Sequence, residues 1–133
     1  MLHAYEGRIM SPSPPRVAIV ACGALARELT ALNRQLSEPM AIHCLPAELH
    51  NRPERIPDAV RARVLQLRND ADHVVVGYAD CGTGGQLDAV CDELGVSRLP
   101  GAHCYELFAG SEPFAALHDD EPGTFYLTDY LAR

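Results

Sequence analysis

The chain contains no lysine and no tryptophan; its 11 basic residues are all arginine and face 18 acidic ones, for a formal net charge of −7. Without lysine there is no Schiff-base chemistry and no phosphate-gripping lysine of the P-loop kind. An acidic chain with scattered arginines also lacks the electrostatic footprint of a nucleic-acid binder or an anionic-membrane binder. Long apolar runs are missing too. Segments such as Val17-Ala18-Ile19-Val20-Ala21-Cys22 fall far short of the ~20 apolar residues that a membrane span requires. The stretch from Met1 to Pro15 carries Glu6 and Arg8 and ends in Ser11-Pro12-Ser13-Pro14-Pro15. It has no apolar centre or cleavage site of a secretory signal. It reads as a flexible leader, followed by a single domain over 16–133 in a cytoplasmic protein. The 133 residues, 47% of them apolar, suit one core.

What the chain does have is an alternation. Arg16 to Ala21 is a short β-branched run typical of a buried strand. Leucines at 25, 29, 32 and 36 then recur at helical spacing, with Pro39 beyond them. Met40 to Leu45 reads as a second strand closed by Pro46. A polar loop through His50 and Arg52 leads to a helix from about Glu54 to Arg68, whose inner face carries Ile56, Val60, Val64 and Leu67. Pro57 fits its first turn, where a missing N–H costs nothing. His73 to Tyr78 is the clearest strand, Gln86 to Leu94 a short helix stopped by Gly95, and Val96 to Leu99 a weak fourth strand. Strand and helix alternating with short links predict an α/β, Rossmann-like three-layer fold with a mostly parallel sheet of about four strands. Thr124 caps a final amphipathic stretch, Phe125 to Leu131, which stops at Arg133 without a C-terminal cap. The expectation there is a C-terminally incomplete domain, or a second subunit covering the end in a homo-oligomer.

The 5 cysteines acquire meaning when placed on this scheme. An odd number in a cytoplasmic chain argues for thiols, metal ligands or core residues rather than a disulfide framework. Cys22 and Cys44 close the first two strands, Cys81 follows the third, and His103-Cys104 follow the fourth. Parallel strands all point one way, so these positions share the carboxyl edge, where open α/β sheets bind ligands. Thiols with one or two imidazoles favour zinc or iron, and an iron–sulfur cluster is a further option. No CxxC pair is present, so the ligands would converge from separate loops. The metal candidates are Cys81, Cys44, His103, Cys104, Cys22 and His50. Core packing competes as an explanation for Cys22 and Cys44, and is preferred for Cys91 on its helix.

Cys81-Gly82-Thr83-Gly84-Gly85 lies between a strand and a helix, but its glycines miss the dinucleotide spacing and no acid closes the second strand. The loop could instead cradle an anion on backbone N–H groups, making Gly82, Thr83 and Gly84 ligand-binding candidates together with His50 and Arg52 on the neighbouring loop. The same donors and the helix N-terminus lower a thiol pKa, so Cys81 is a candidate nucleophile or methyl acceptor. His103 and Glu106 are further catalytic candidates, the acid orienting the imidazole or acting as base. Asp80 and Glu28 are candidates for supporting roles, with a solvated helix face preferred for Glu28.

Five segments in order resemble the family known as domain of unknown function number 1638. They are Ala21-Cys22-Gly23-Ala24-Leu25-Ala26-Arg27-Glu28, Leu45 to Pro53, Gly77 to Gly84, Gly101-Ala102-His103-Cys104-Tyr105-Glu106 and Pro122 to Thr128. Relatives in that family often neighbour corrinoid-dependent methyltransferases acting on methylamines or betaines. The resemblance therefore implies an enzyme or accessory in corrinoid-linked methyl transfer, with a methyltransferase-system protein or a small molecule as partner. Cys22, His50, Cys81, His103 and Cys104 are the positions that match the family's motifs. The alternative is a non-catalytic module holding a small anionic ligand or a partner protein at the glycine loop.

Overall fold

The computed structural model describes residues 13–108 and 110–121. Three strands, β1 (Val17–Cys22), β2 (Ala41–Leu45) and β3 (His73–Gly77), form a parallel sheet in the order β2-β1-β3. A fourth segment joins the free edge of β3 through a single parallel bridge, Val76 to Arg98. There Val76 N–H donates to Ser97 O at 2.9 Å and Leu99 N–H to Val76 O at 3.2 Å. The expected fourth strand over Val96–Leu99 is thus one bridge wide. Side-chain alternation puts Ala18, Val20, Cys22, Leu45, Val76 and Tyr78 in one buried cluster with the inner faces of two helices.

Those helices are α2 (Ile56–Leu67) and α3 (Gln86–Leu94), which follow α1 (Ala26–Asn33) in the chain. Ile56, Val60 and Val64 of α2 and Leu87 of α3 are almost completely buried. Removing such a side chain leaves a cavity that costs about 2–5 kcal/mol for leucine to alanine. The α2 helix begins two residues later than the sequence pattern suggests, after a 3-10 turn over Pro53–Arg55, with Pro57 in its first turn. Gly95 terminates α3 in the left-handed region at φ 66°, its N–H returning to Asp92 O and Cys91 O.

The leucine periodicity through Leu36 overstates α1, which ends at Asn33. The Asn33 side chain donates from Nδ2 to Met40 O and accepts from Met40 N–H at Oδ1, both at 2.8 Å. It acts as a surrogate backbone that turns the chain into β2. A helix over Ser111–Asp120, α4, follows a 3-10 turn at Cys104–Phe108. No periodicity in the sequence had suggested α4, whereas the expected Phe125–Leu131 helix lies outside the described residues. Among the described residues no helix is long and apolar enough to cross a membrane.

The topology has one consequence for function. From β1 the chain goes to β2 on one side, then returns to β3 on the other. The reversal makes the region beyond the carboxyl ends of β1 and β3 the switch point, the place at which doubly wound sheets take their ligands.

Candidate functional site

Cys22, the last residue of β1, is extended and 2% exposed at the switch point. Its successor must be glycine: a Cβ on Gly23 would stand 2.6 Å from Leu45 O and 3.0 Å from Ala47 N. The end of β1 is therefore pressed directly against the backbone leaving β2. Beyond β3, Tyr78 and Ala79 are 1% and 0% exposed, and the chain then turns sharply. Cys81 adopts φ 54°, the only described non-glycine residue with positive φ, and Gly82, Gly84 and Gly85 follow in the same half of conformational space. A cysteine held there carries backbone strain of about 1 kcal/mol or more.

Asp80 organises this turn. Its Oδ1 accepts the Thr83 hydroxyl at 2.6 Å and Gly85 N–H at 3.0 Å, and its Oδ2 accepts Gly84 N–H at 3.2 Å. Thr83 Oγ1 in turn accepts Leu87 N–H at 3.3 Å, capping the first turn of α3. The Thr83 hydroxyl first, then the backbone donors and Arg98, hold the Asp80 carboxyl below the usual range despite some burial. The backbone donors of this glycine turn are thus met by the chain's own carboxylate. Gly84 N–H and the Thr83 hydroxyl, two of the expected ligand donors, are engaged with Asp80, and Gly82 is exposed beside them.

A second loop, after the bridge at Arg98, is stitched to the first. Asp80 N–H donates to Gly101 O at 3.1 Å and Cys81 N–H to Ala102 O at 2.7 Å. The Arg98 guanidinium donates to Leu99 O at 2.7 Å and Gly101 O at 3.2 Å while pairing with Asp88 of α3 at 2.6 Å. Buried Glu106 accepts Ala102 N–H at 3.1 Å. Its carboxylate fixes the loop.

These straps bring Cys104 against Cys81, Sγ to Sγ 2.9 Å. The Cys22 thiol, at the strand end, stands near enough to Cys104 for the two to perturb each other's ionisation. The result is a relay of three thiols. Its bond to Cys104, then burial, pushes Cys22 far above the ordinary thiol range. At Cys104 the contact from Cys22 pulls downward, but the bond to Cys81 and burial outweigh it and push the thiol up to about 12. Cys81 is lowered: its contact with the Cys104 thiol, then the backbone N–H groups of Cys104 and Ala79, outweigh the cost of burial. Of the three thiols, Cys81 is the one whose ionisation the surroundings favour. The Tyr78 hydroxyl, buried beside all three sulfurs, has no well-formed hydrogen bond, and burial pushes its pKa well up.

The other expected ligands stand apart from the trio. Cys44 pairs in register with Ala21, and Leu45 with Cys22. Alternation therefore turns the Cys44 side chain to the sheet face opposite Cys22. Burial raises its thiol, as it does that of Cys91 on α3. The His103 ring stacks on Tyr105, centroids 4.9 Å apart and planes 12° apart, and no hydrogen bond joins it to the sulfurs. His50 and Arg52 are exposed, in and just after the 3-10 turn at Ala47–Asn51. Among the described residues, no group of three or more His, Cys, Asp or Glu side chains stands ready to hold a metal ion. Tyr78 was missed because, in sequence, it is simply the aromatic end of a strand. The Asp80-to-Thr83 spacing, a side-chain-to-backbone turn signature, would have revealed the self-filled loop.

A parallel α/β sheet with a thiol relay at its switch point is the class that fold and site define. The family model described as Protein of unknown function (DUF1638) matches residues 22–133, and the chain belongs to that family. No curated protein and no solved structure matches the chain.

Proposed function

We propose that the protein binds a thiophilic metal ion, zinc or iron(II), through Cys22, Cys81 and Cys104 at the carboxyl edge of the sheet. The observation that carries this reading is the 2.9 Å approach of the Cys81 and Cys104 sulfurs near the strand end that Cys22 closes, beside a buried tyrosine hydroxyl without a well-formed hydrogen bond. Clustered buried thiols gain little from one another, whereas a cation compensates their ionisation. The fit requires a small adjustment. Tetrahedral ligation with ~2.3 Å bonds places sulfurs roughly 3.8 Å apart, so Cys81 and Cys104 would open from their 2.9 Å contact. Both belong to loops, which makes that movement inexpensive.

Zinc held by thiolates leaves a fourth position at which an external ligand is activated. That chemistry agrees with the accessory or enzymatic role in methyl transfer that the family resemblance implies. In this reading Cys81 supplies the charge, Cys104 and Cys22 complete the ligand set, and Tyr78 orients what occupies the open side. An anion or partner held at Gly82, Thr83 and Gly84 has less support, because Asp80 already occupies the loop's donors.

The test is elemental analysis of reduced protein purified anaerobically without chelator, followed by cobalt(II) substitution to count thiolates from their charge-transfer absorption. About one ion per chain is expected, lost in Cys81→Ser and Cys104→Ser and retained in Cys44→Ser and His103→Ala. A folded protein that stays metal-free after reconstitution overturns the proposal.

A further inference from the structure

The geometry points to a second use of the same loops: Cys81 and Cys104 form a redox pair that closes to a disulfide by exchange with a low-molecular-weight disulfide. This inference does not depend on metal binding. Its foundation is the 2.9 Å separation of the two sulfurs. A disulfide bond is about 2.05 Å long, so closure asks for less than about 1 Å of approach. The backbones are already aligned, because Asp80 and Cys81 donate to Gly101 and Ala102 of the partner loop. Both cysteines are half-buried, as is Cys44 on the opposite face of the sheet, whereas Cys22 and Cys91 are buried. An incoming disulfide therefore meets the pair and not the inner thiols. The left-handed turn at Cys81 and the glycines after it let that loop move by tenths of an ångström without disturbing β3.

The chemistry balances as two exchanges. The Cys81 thiolate attacks one sulfur of R–S–S–R; the S–S bond breaks and RS⁻ leaves with its electron pair. Cys104 then attacks Cys81 Sγ of the mixed disulfide and expels the second RS⁻. The two protein thiols are oxidised by two electrons, the small disulfide is reduced to two thiols, and the protons lost from Cys81 and Cys104 pass to the departing thiolates. Cys22, in contact with Cys104, is the one inner thiol placed to compete for it.

The experiment treats chelator-washed, metal-free protein with glutathione disulfide and reads free thiols and cross-linked peptides. Cleavage at arginine leaves Cys81 and Cys91 on one peptide, 69–98, and Cys104 on another, 99–133. The Cys91→Ala variant is therefore run beside the wild type. The expected result is loss of two free thiols and a cross-link between those peptides in both proteins. Cys104→Ala should instead accumulate the glutathione adduct on Cys81, and Cys81→Ala should give no cross-link between the two peptides. A cross-link that appears only in denaturant, or one joining Cys22 to Cys104 in the wild type, overturns the inference. Because this assay excludes metal and the metal assay uses reduced protein, failure of either leaves the other standing.

Discussion

Replacing Asp80 with alanine removes the acceptor of three hydrogen bonds at once: the Thr83 hydroxyl, Gly84 N–H and Gly85 N–H. Hydrogen bonds to charged groups contribute about 1.5–3 kcal/mol each when sheltered. The Thr83 bond is sheltered, since Thr83 is 6% exposed. The two glycines are exposed, so their bonds deserve a heavy discount. We expect a loss of about 3 kcal/mol for Asp80→Ala, equivalent to roughly a 10–15 °C fall in Tm for a domain of this size. Asparagine can keep its oxygen at the Oδ1 position and give up Gly84 alone, so Asp80→Asn should lose about 1 kcal/mol. Urea unfolding followed by circular dichroism measures both. The carboxyl is held below its usual range in the fold, so its stabilisation is complete above the unfolded value near 3.9. It disappears as pH falls through the lower folded value. The gap between wild type and Asp80→Ala should accordingly persist at pH 5 and close only in strong acid. An alanine variant within about 0.5 kcal/mol of wild type at pH 7, or a gap independent of pH, refutes the idea that Asp80 organises the loop.

Other expectations concern the thiols and their supports. Cys81 should alkylate with iodoacetamide at a pH below that of an ordinary thiol, since its pKa is lowered in the fold; parallel labelling of unfolded protein gives the reference curve. Cys22 and Cys104 are raised, so their contribution is complete below the unfolded thiol range and fades as pH climbs above it. With Cys104 at about 12 in the fold, that residue alone should cost about 1–2 kcal/mol by pH 10, and Cys104→Ala should remove its share of the alkaline loss. Leu87→Ala, at a fully buried position under the thiol loop, should cost about 2–5 kcal/mol in denaturant titrations. Gly23→Ala would drive a Cβ to within 2.6 Å of Leu45 O, and mass-spectrometric labelling should find Cys22 more reactive once the strand end is forced apart.

Most of the fold could be read from local pattern. The inner faces of β1, β3, α2 and α3 follow simple periods, and Gln86–Leu94 with its Gly95 stop carries its boundaries in its residues. Where the reading failed, a side chain did the work of backbone. Asn33 ends α1 by pairing with Met40, a contact invisible to hydrophobic spacing. The shared carboxyl edge was deducible because parallel strands all run one way. Selection among its thiols was not, because it depends on register. Cys22 and Cys44 both lie at strand ends, yet one position of alternation puts them on opposite faces. Glu106 and His103 looked like a catalytic pair by proximity in sequence; the fold gives the acid to Ala102 N–H and the imidazole to the Tyr105 ring.

The carboxylate of Asp80 sits where a ligand anion would otherwise sit, and it is tethered there. A tethered group competes at an effective concentration far above that of any free metabolite. Free phosphate or a small acid at cellular levels would have to displace it from three donors simultaneously. The glycine loop thus keeps its donors engaged by a carboxylate that cannot diffuse away. How firmly that carboxylate is held depends on the Thr83 hydroxyl, the two glycine N–H groups and the charge of Arg98.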